Sequence, residues 1–139
     1  MYAVRVRAAV GYSGTPLTKK LGLDKARRIS VLNAPPDYVR SLDVLASEEL
    51  ERGSDLVQFF AESRAEVQRI MPQLRQSIVP NGSIWISWPK KASKVHTDLD
   101  ENFIRAVALA NQLVDVKVCA VDATWSGLKL VIPLALRKA

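Results

Sequence analysis

Cysteine and histidine are nearly missing from this chain: its 139 residues hold one cysteine, Cys119, and one histidine, His96. A single thiol excludes an intrachain disulfide and a thiolate metal cluster. A zinc site would have to be built almost wholly from carboxylates, against zinc's preference for nitrogen and sulfur ligands. Long apolar runs are lacking too, so no stretch reads as a bilayer span. Met1 to Val10 carries Arg5 and Arg7 among its apolar residues, which is not the pattern of a signal peptide. The expected compartment is the cytoplasm. The glycine and lysine spacing of a Walker phosphate loop is also absent.

What is present is ordinary in balance. Hydrophobic residues make up 48% and charged residues 24%, as in a globular protein. The length suits one domain over 1–139, with 1–10 a strand or flexible arm and 11–139 the core. Twenty Lys and Arg residues against 14 Asp and Glu leave a net charge of +6. Such an excess suits anionic partners, from small molecules to nucleic acid or acidic proteins, and it also serves solubility.

Local patterns suggest the elements. Gly11 to Thr15 is a turn, and Pro16 to Leu21 a short helix closed by Gly22. Arg28 to Asn33 reads as a strand ended by Ala34-Pro35-Pro36. Asp37 to Leu42 suits a short helix, and Val44-Leu45 a brief strand or extended link. The run Asp55 to Phe60 suits a buried strand. Ser63 and Glu66 form a capping-box pattern ahead of Val67, Ile70, Met71, Leu74 and Ile78, with Pro72 expected to kink or split that helix. Pro80-Asn81-Gly82 is a turn, and Ser83 to Trp88 the clearest strand, ended by Pro89. A basic loop, Lys90 to His96, follows. Asp98 with Glu101 forms a second capping-box candidate, before Phe103, Ile104, Val107 and Val114 on one helix face. Val116–Val121 and Leu128–Ile132 read as two strands joined by a hairpin loop over Asp122–Gly127. Alternation of strands and helices predicts an α/β, Rossmann-like three-layer sandwich, its sheet mostly parallel with a C-terminal antiparallel hairpin.

Three segments, GYSGTPLTKKLG, SWPKKAS and VDVKVCAVDATWSGLKLV, resemble a family of small bacterial proteins of unknown function. That resemblance brings no activity, substrate or catalytic residue with it. In element order, the chain is similar to the later half of class I S-adenosylmethionine-dependent methyltransferases. This second resemblance implies a cofactor held by a glycine-rich turn after the first strand. The chain departs from it there: Asn33-Ala34-Pro35-Pro36 offers no glycine, and each proline lacks an N–H donor. Asp43 and Glu48 are the acidic residues available to a ribose.

Open parallel sheets gather ligands beyond the C-terminal ends of their strands. Asn33, Trp88, Lys90 and Lys91 are expected at that edge, either as an anion site or as solvated surface. Ser13, Lys19 and Lys20, in the glycine-bearing turn and the helix it feeds, have the parts of a phosphate cradle or of a plain capped turn. Trp125 and Lys129 offer a ligand or partner contact, although a hairpin tryptophan commonly packs over a sheet edge. His96 has the chemistry of an acid or base without a recognised partner nearby. Cys119 reads as a buried small hydrophobe, and Asp122 as a polar contact or turn organiser. No feature names a cofactor or a catalytic residue. The leading reading is a domain, noncatalytic or of unassigned catalysis, that binds an anionic small molecule or protein at the Lys90–Lys91 edge. A methyltransferase and a basic module for nucleic acid or acidic protein are the alternatives.

Overall fold

The computed structural model describes residues 16–137. The strand or arm expected over 1–10, and the 11–15 turn with Ser13, lie outside the described residues. Helix α1 is Leu17–Leu21, followed by strand β1 (Ile29–Leu32), helix α2 (Tyr38–Ser41) and strand β2 (Ser54–Phe60). Helix α3 (Arg64–Ser77), strand β3 (Ile78–Pro89), helix α4 (Glu101–Ala110), strand β4 (Val114–Ala120) and strand β5 (Trp125–Val131) complete the order, with 3-10 turns at Lys91–Ser93 and Leu134–Leu136.

The five strands form one sheet in the order β1-β2-β3-β5-β4. β1, β2 and β3 are parallel, while β5 runs antiparallel to β3 and β4 antiparallel to β5. This is the Rossmann-like arrangement with a closing hairpin that the alternation predicts. The C-terminal ends of the parallel strands share one edge with the β4–β5 turn, because Pro89 pairs with Trp125.

Strand alternation divides the core between the two faces of the sheet. Val57, Phe59, Ile84, Ile86, Trp88, Leu128 and Leu130 pack with Val67, Met71 and Leu74 of α3 and Ile104 and Ala108 of α4. On the other face Ile29, Val31, Leu56, Phe60, Trp85 and Trp125 meet Leu21 and Leu23. Trp85 has no exposed surface, and its Nε1–H donates to the Leu21 carbonyl at 2.8 Å, which ties the end of α1 to the sheet. Gly22 closes α1 at φ 83, a left-handed conformation that glycine adopts freely, and its N–H reaches the carbonyls of Lys19 and Thr18.

Several local expectations change in context. Pro72 does not split α3, which runs unbroken over 14 residues with Pro72 inside it. Pro72 and Gln68, whose carbonyl loses its donor, both sit on the exposed face. An interior proline costs about 3 kcal/mol. Val67, Met71 and Leu74 are completely buried, and each such side chain contributes roughly 1.5–3 kcal/mol, which outweighs that cost. Ile78 leaves the helix and begins β3. Pro80-Asn81-Gly82 is not a free turn but an irregularity within β3, where the register with β2 shifts from Ser54↔Ile78 to Leu56↔Ser83. Val44-Leu45 forms no strand. The chain bridges β1 at Ser47 instead, whose N–H and carbonyl bond Ile29 and Val31, each at 2.8 Å.

Asp98 is not the cap of α4. Asp100 takes that place, accepting from the Phe103 N–H, while Asp98 Oδ1 accepts from the Arg64 N–H at the start of α3. The closing hairpin is tighter than its composition suggests. Asp122 Oδ1 accepts from the N–H groups of Thr124 and Trp125, both at 2.8 Å, so the turn closes within four residues and Gly127 falls inside β5. Gly127 is there for room: an added Cβ would lie 3.1 Å from Trp85 Cε3 and 3.4 Å from Cζ3. The Trp85 ring cannot yield easily while its Nε1–H is held by Leu21. Gly127→Ala is therefore expected to lower unfolding free energy by roughly 1–3 kcal/mol. Urea denaturation checks this, and an unchanged midpoint would show that the ring is free to move.

Candidate anion-binding cleft

β3 brings Trp88 and Pro89 to the C-terminal edge of the sheet, and the chain then turns through Lys91–Ser93. Lys94 closes that turn at φ 63. Lys91 opens the turn and Lys94 ends it. Both line a cleft of about 350 Å³ together with His96. Its apolar wall is Trp88, Pro89, Val95 and Leu99, and its remaining residues are Thr97 and Asp100.

The far wall is anchored. Thr97 Oγ1 donates to the Glu62 carbonyl at 2.6 Å and accepts from the Leu99 N–H. Arg64 Nε donates to the Asp98 carbonyl at 2.7 Å, its guanidinium lies 4.6 Å from the centre of the Phe103 ring, and it faces Asp100 at 3.9 Å. The one carboxylate lining the cleft, Asp100, is thus engaged by a helix N-terminus and by Arg64. Lys91, Lys94 and His96 are exposed, and their side chains have no hydrogen-bond or ion-pair partner among the described residues. The local balance favours an anion.

Of the residues singled out from the sequence, Trp88, Lys91 and His96 meet in this cleft. Lys90 lies just outside its lining, and its N–H ties the loop to the hairpin through the Thr124 carbonyl at 2.9 Å. Asn33 stands at the end of β1 with φ 57. Lys19 and Lys20 belong to α1, on the opposite face of the sheet, where Lys20 Nζ donates to the Ala120 carbonyl at 3.3 Å. Lys129 lies mid-strand, opposite Trp85 and Lys117. Trp125 packs on the α1 face, its ring 5.0 Å from that of Phe60. Cys119 is half-buried, and burial raises its thiol pKa, with Lys20 and Lys117 opposing. That thiol is therefore protonated and poorly nucleophilic at neutral pH. Lys94 was the residue missed; its signal was the KxxK spacing from Lys91 across a turn.

A second constellation fills the edge above β1 and β2. The Tyr38 hydroxyl donates to Gln58 Oε1 at 2.8 Å, and Gln58 Nε2 donates to Ser87 Oγ at 3.1 Å. Tyr38 also stacks edge-on against Phe60 at 4.8 Å. Gln58 and Ser87 are completely buried, so the chain of bonds satisfies polar groups that water cannot reach. Burial holds the Tyr38 phenol well above its ordinary pKa of 10.0, with the Gln58 hydrogen bond opposing and Asp122 and Cys119 adding to the rise.

The fold is that of class I S-adenosylmethionine-dependent methyltransferases, as solved structures show. One is magnesium protoporphyrin IX methyltransferase from Synechocystis with bound S-adenosylmethionine, at TM-score 0.59 and 12% identity over 84% of this chain and 76% of that one. Another is ribosomal protein L11 methylase from Lactobacillus delbrueckii, at TM-score 0.51 and 11% identity over 86% and 81%. A third is an S-adenosylmethionine-dependent methyltransferase from Clostridium acetobutylicum, at TM-score 0.54 and 7% identity over 84% and 89%. At such identities the likeness concerns the fold. No protein-family model matches the chain, and no curated protein matches its sequence.

The turn after β1 does not fit a nucleoside cofactor approaching the backbone. Asn33 and Ala34 carry side chains, Pro35 and Pro36 have no N–H, and the Tyr38 N–H is already bonded to the Pro35 carbonyl at 3.1 Å. Behind the turn, the Tyr38 ring and hydroxyl occupy the space over Phe60 and Gln58. No helix among the described residues is long and apolar enough to cross a membrane.

Tyr38→Phe should lower stability at pH 8 by about 1–2 kcal/mol, because Gln58 Oε1 loses its buried donor. A folded-state pKa above the unfolded one stabilises below the unfolded pKa and is lost as pH rises through the folded value. The gap between wild type and variant should accordingly narrow above about pH 10. Urea unfolding at a series of pH values measures it, and a gap that stays constant would place the hydroxyl in water.

Proposed function

We propose that this chain is a methyltransferase-fold binding domain that holds an anionic small molecule at the end of β3 rather than a cofactor in the turn after β1. The observation that carries the reading is the cleft itself: it is lined by Lys91, Lys94 and His96, whose side chains have no partner among the described residues, while Asp100 is already engaged. Position supports it as well, since ligands of open α/β sheets collect beyond the strand C-termini. The Tyr38–Gln58–Ser87 chain is then a structural filling of the place where the fold otherwise receives its cofactor.

The second reading, an S-adenosylmethionine-dependent methyltransferase, is favoured by the likeness of fold to enzymes of that description. It requires the cofactor to be held without a glycine turn. Calorimetric titration separates the two. The first reading expects no heat with S-adenosylmethionine at millimolar concentration, and saturable binding there would establish the second.

For the first reading, amide chemical-shift titration with inorganic phosphate should move residues 88–100. Replacing Lys91 and Lys94 together by alanine should weaken that binding roughly tenfold, the combined effect of two exposed charges worth about 0.5–1 kcal/mol each. Equal affinity in the double variant would remove the site assignment.

A further inference from the structure

We infer that the opposite edge of the sheet, where β3 begins and β5 ends, holds a second anion site, built on Arg75 and Arg137 and fitted to a dianionic oxyanion of the phosphate or phosphate monoester kind. It is separate from the β3-end cleft and does not depend on the reading given there. Arg75 stands in the last turn of α3, and Arg137 follows the 3-10 turn Leu134–Leu136. Both line one open cleft with Gln76 and Gln112, and the rest of its lining is apolar. No carboxylate belongs to that lining. Asp115, the acid closest to Gln112 in sequence, is held by Arg105 at 3.0 Å.

Two arginines without a counter-ion are commonplace on a basic surface. What sets these two apart is how they are held. Arg75 Nε donates to the Gln112 carbonyl at 3.4 Å, and Arg137 Nε to the Ile132 carbonyl at 2.7 Å. Both residues are half-buried, whereas Lys91 and Lys94 are exposed. A guanidinium has five N–H donors. Each of these is pinned through one, and its Nη1 and Nη2 groups have no partner among the described residues. The two forks are thus oriented before a ligand arrives, so less side-chain freedom is lost on binding. Such a planar fork bonds two oxygens of one oxyanion. The Gln76 and Gln112 carboxamides add neutral N–H donors to the same lining. Its charged groups are two cations and no anion, so a dianion balances them and a monoanion leaves one over. Because the cleft is open, the body of the ligand stays in water and the site reads the oxyanion.

The test titrates the full chain with inorganic phosphate and, separately, with acetate, at pH 8 and constant ionic strength, and follows amide shifts. Phosphate should move residues 75–80 and 132–137 as a set distinct from 88–100, and should bind there about fivefold tighter than acetate. Gln76→Glu puts a carboxylate into the lining at an exposed position and touches neither Nε bond. It should weaken phosphate binding at this edge about threefold and leave the response of 88–100 unchanged. Arg75→Lys with Arg137→Lys keeps both charges without the forks and should cost about fivefold. Shifts confined to 88–100 would remove the second site and leave the β3-end cleft standing. Acetate binding as tightly as phosphate would overturn the dianion. Full affinity in the lysine variant would overturn the role of the forks, and full affinity in Gln76→Glu would place the anion elsewhere.

Discussion

The double burial of β3 is the constraint on which the rest depends. β2 and β5 flank it in the sheet, and from Ser83 to Pro89 its side chains are buried on both faces. Ile84, Ile86 and Trp88 must be covered by α3 and α4, and Trp85 by α1. The Trp85 ring then requires Gly127 beside it, and its N–H requires an acceptor, which the last residue of α1 supplies. One central indole thereby fixes the position of a five-residue helix too short to be stable by itself.

The same strand organises the edge where a ligand would sit. Parallel pairing of β1, β2 and β3 aligns their C-terminal ends, and antiparallel pairing with β5 brings the hairpin turn alongside. Two different things then happen on the two faces. On the α1 face the space is filled by protein: Tyr38, Phe60 and Trp125 stack, and a hydrogen-bonded chain runs from Tyr38 through Gln58 to Ser87. On the α4 face Trp88 and Leu99 leave a cleft, and the loop beyond Pro89 lines it with cations. The methyltransferase-like fold thus resides in the sheet and its packing, while the candidate cleft lies at one rim of it. Fold and chemistry are separable for this reason: the sheet depends on core packing, the site on a few residues at its rim.

Polar residues in the loops act as fasteners more than as chemistry. Asp98, Asp100 and Arg64 join the starts of α3 and α4. Arg105 joins α4 to β4 through Glu101 and Asp115. Asp122 sets the hairpin. These carboxylates are spent on backbone N–H groups and guanidinia, which is why the neighbouring lysines stand out as uncompensated. Among the described residues no group of three or more His, Cys, Asp or Glu side chains could hold a metal ion.

By itself the sequence determined the elements whose cause is local. The Ser63–Glu66 capping box, the Gly22 stop, the Pro89 strand end and the apolar run of β2 all act within a few residues, and all stand where their patterns put them. Tertiary structure decided what local rules could not weigh. Pro72 stays within α3 because packing of Val67, Met71 and Leu74 outweighs the lost hydrogen bond. Asp98 serves Arg64 rather than α4 because two helix starts come together there. Asn33-Ala34-Pro35-Pro36 was legible as a turn without glycine, but only folding showed Tyr38 packed beside it against Phe60 and bonded to Gln58. Likewise the basic loop after β3 was legible as charge, whereas the cleft that Lys91 and Lys94 share with Trp88 needed the folded chain, because the loop is held in place by the bond from the Lys90 N–H to the distant Thr124 carbonyl.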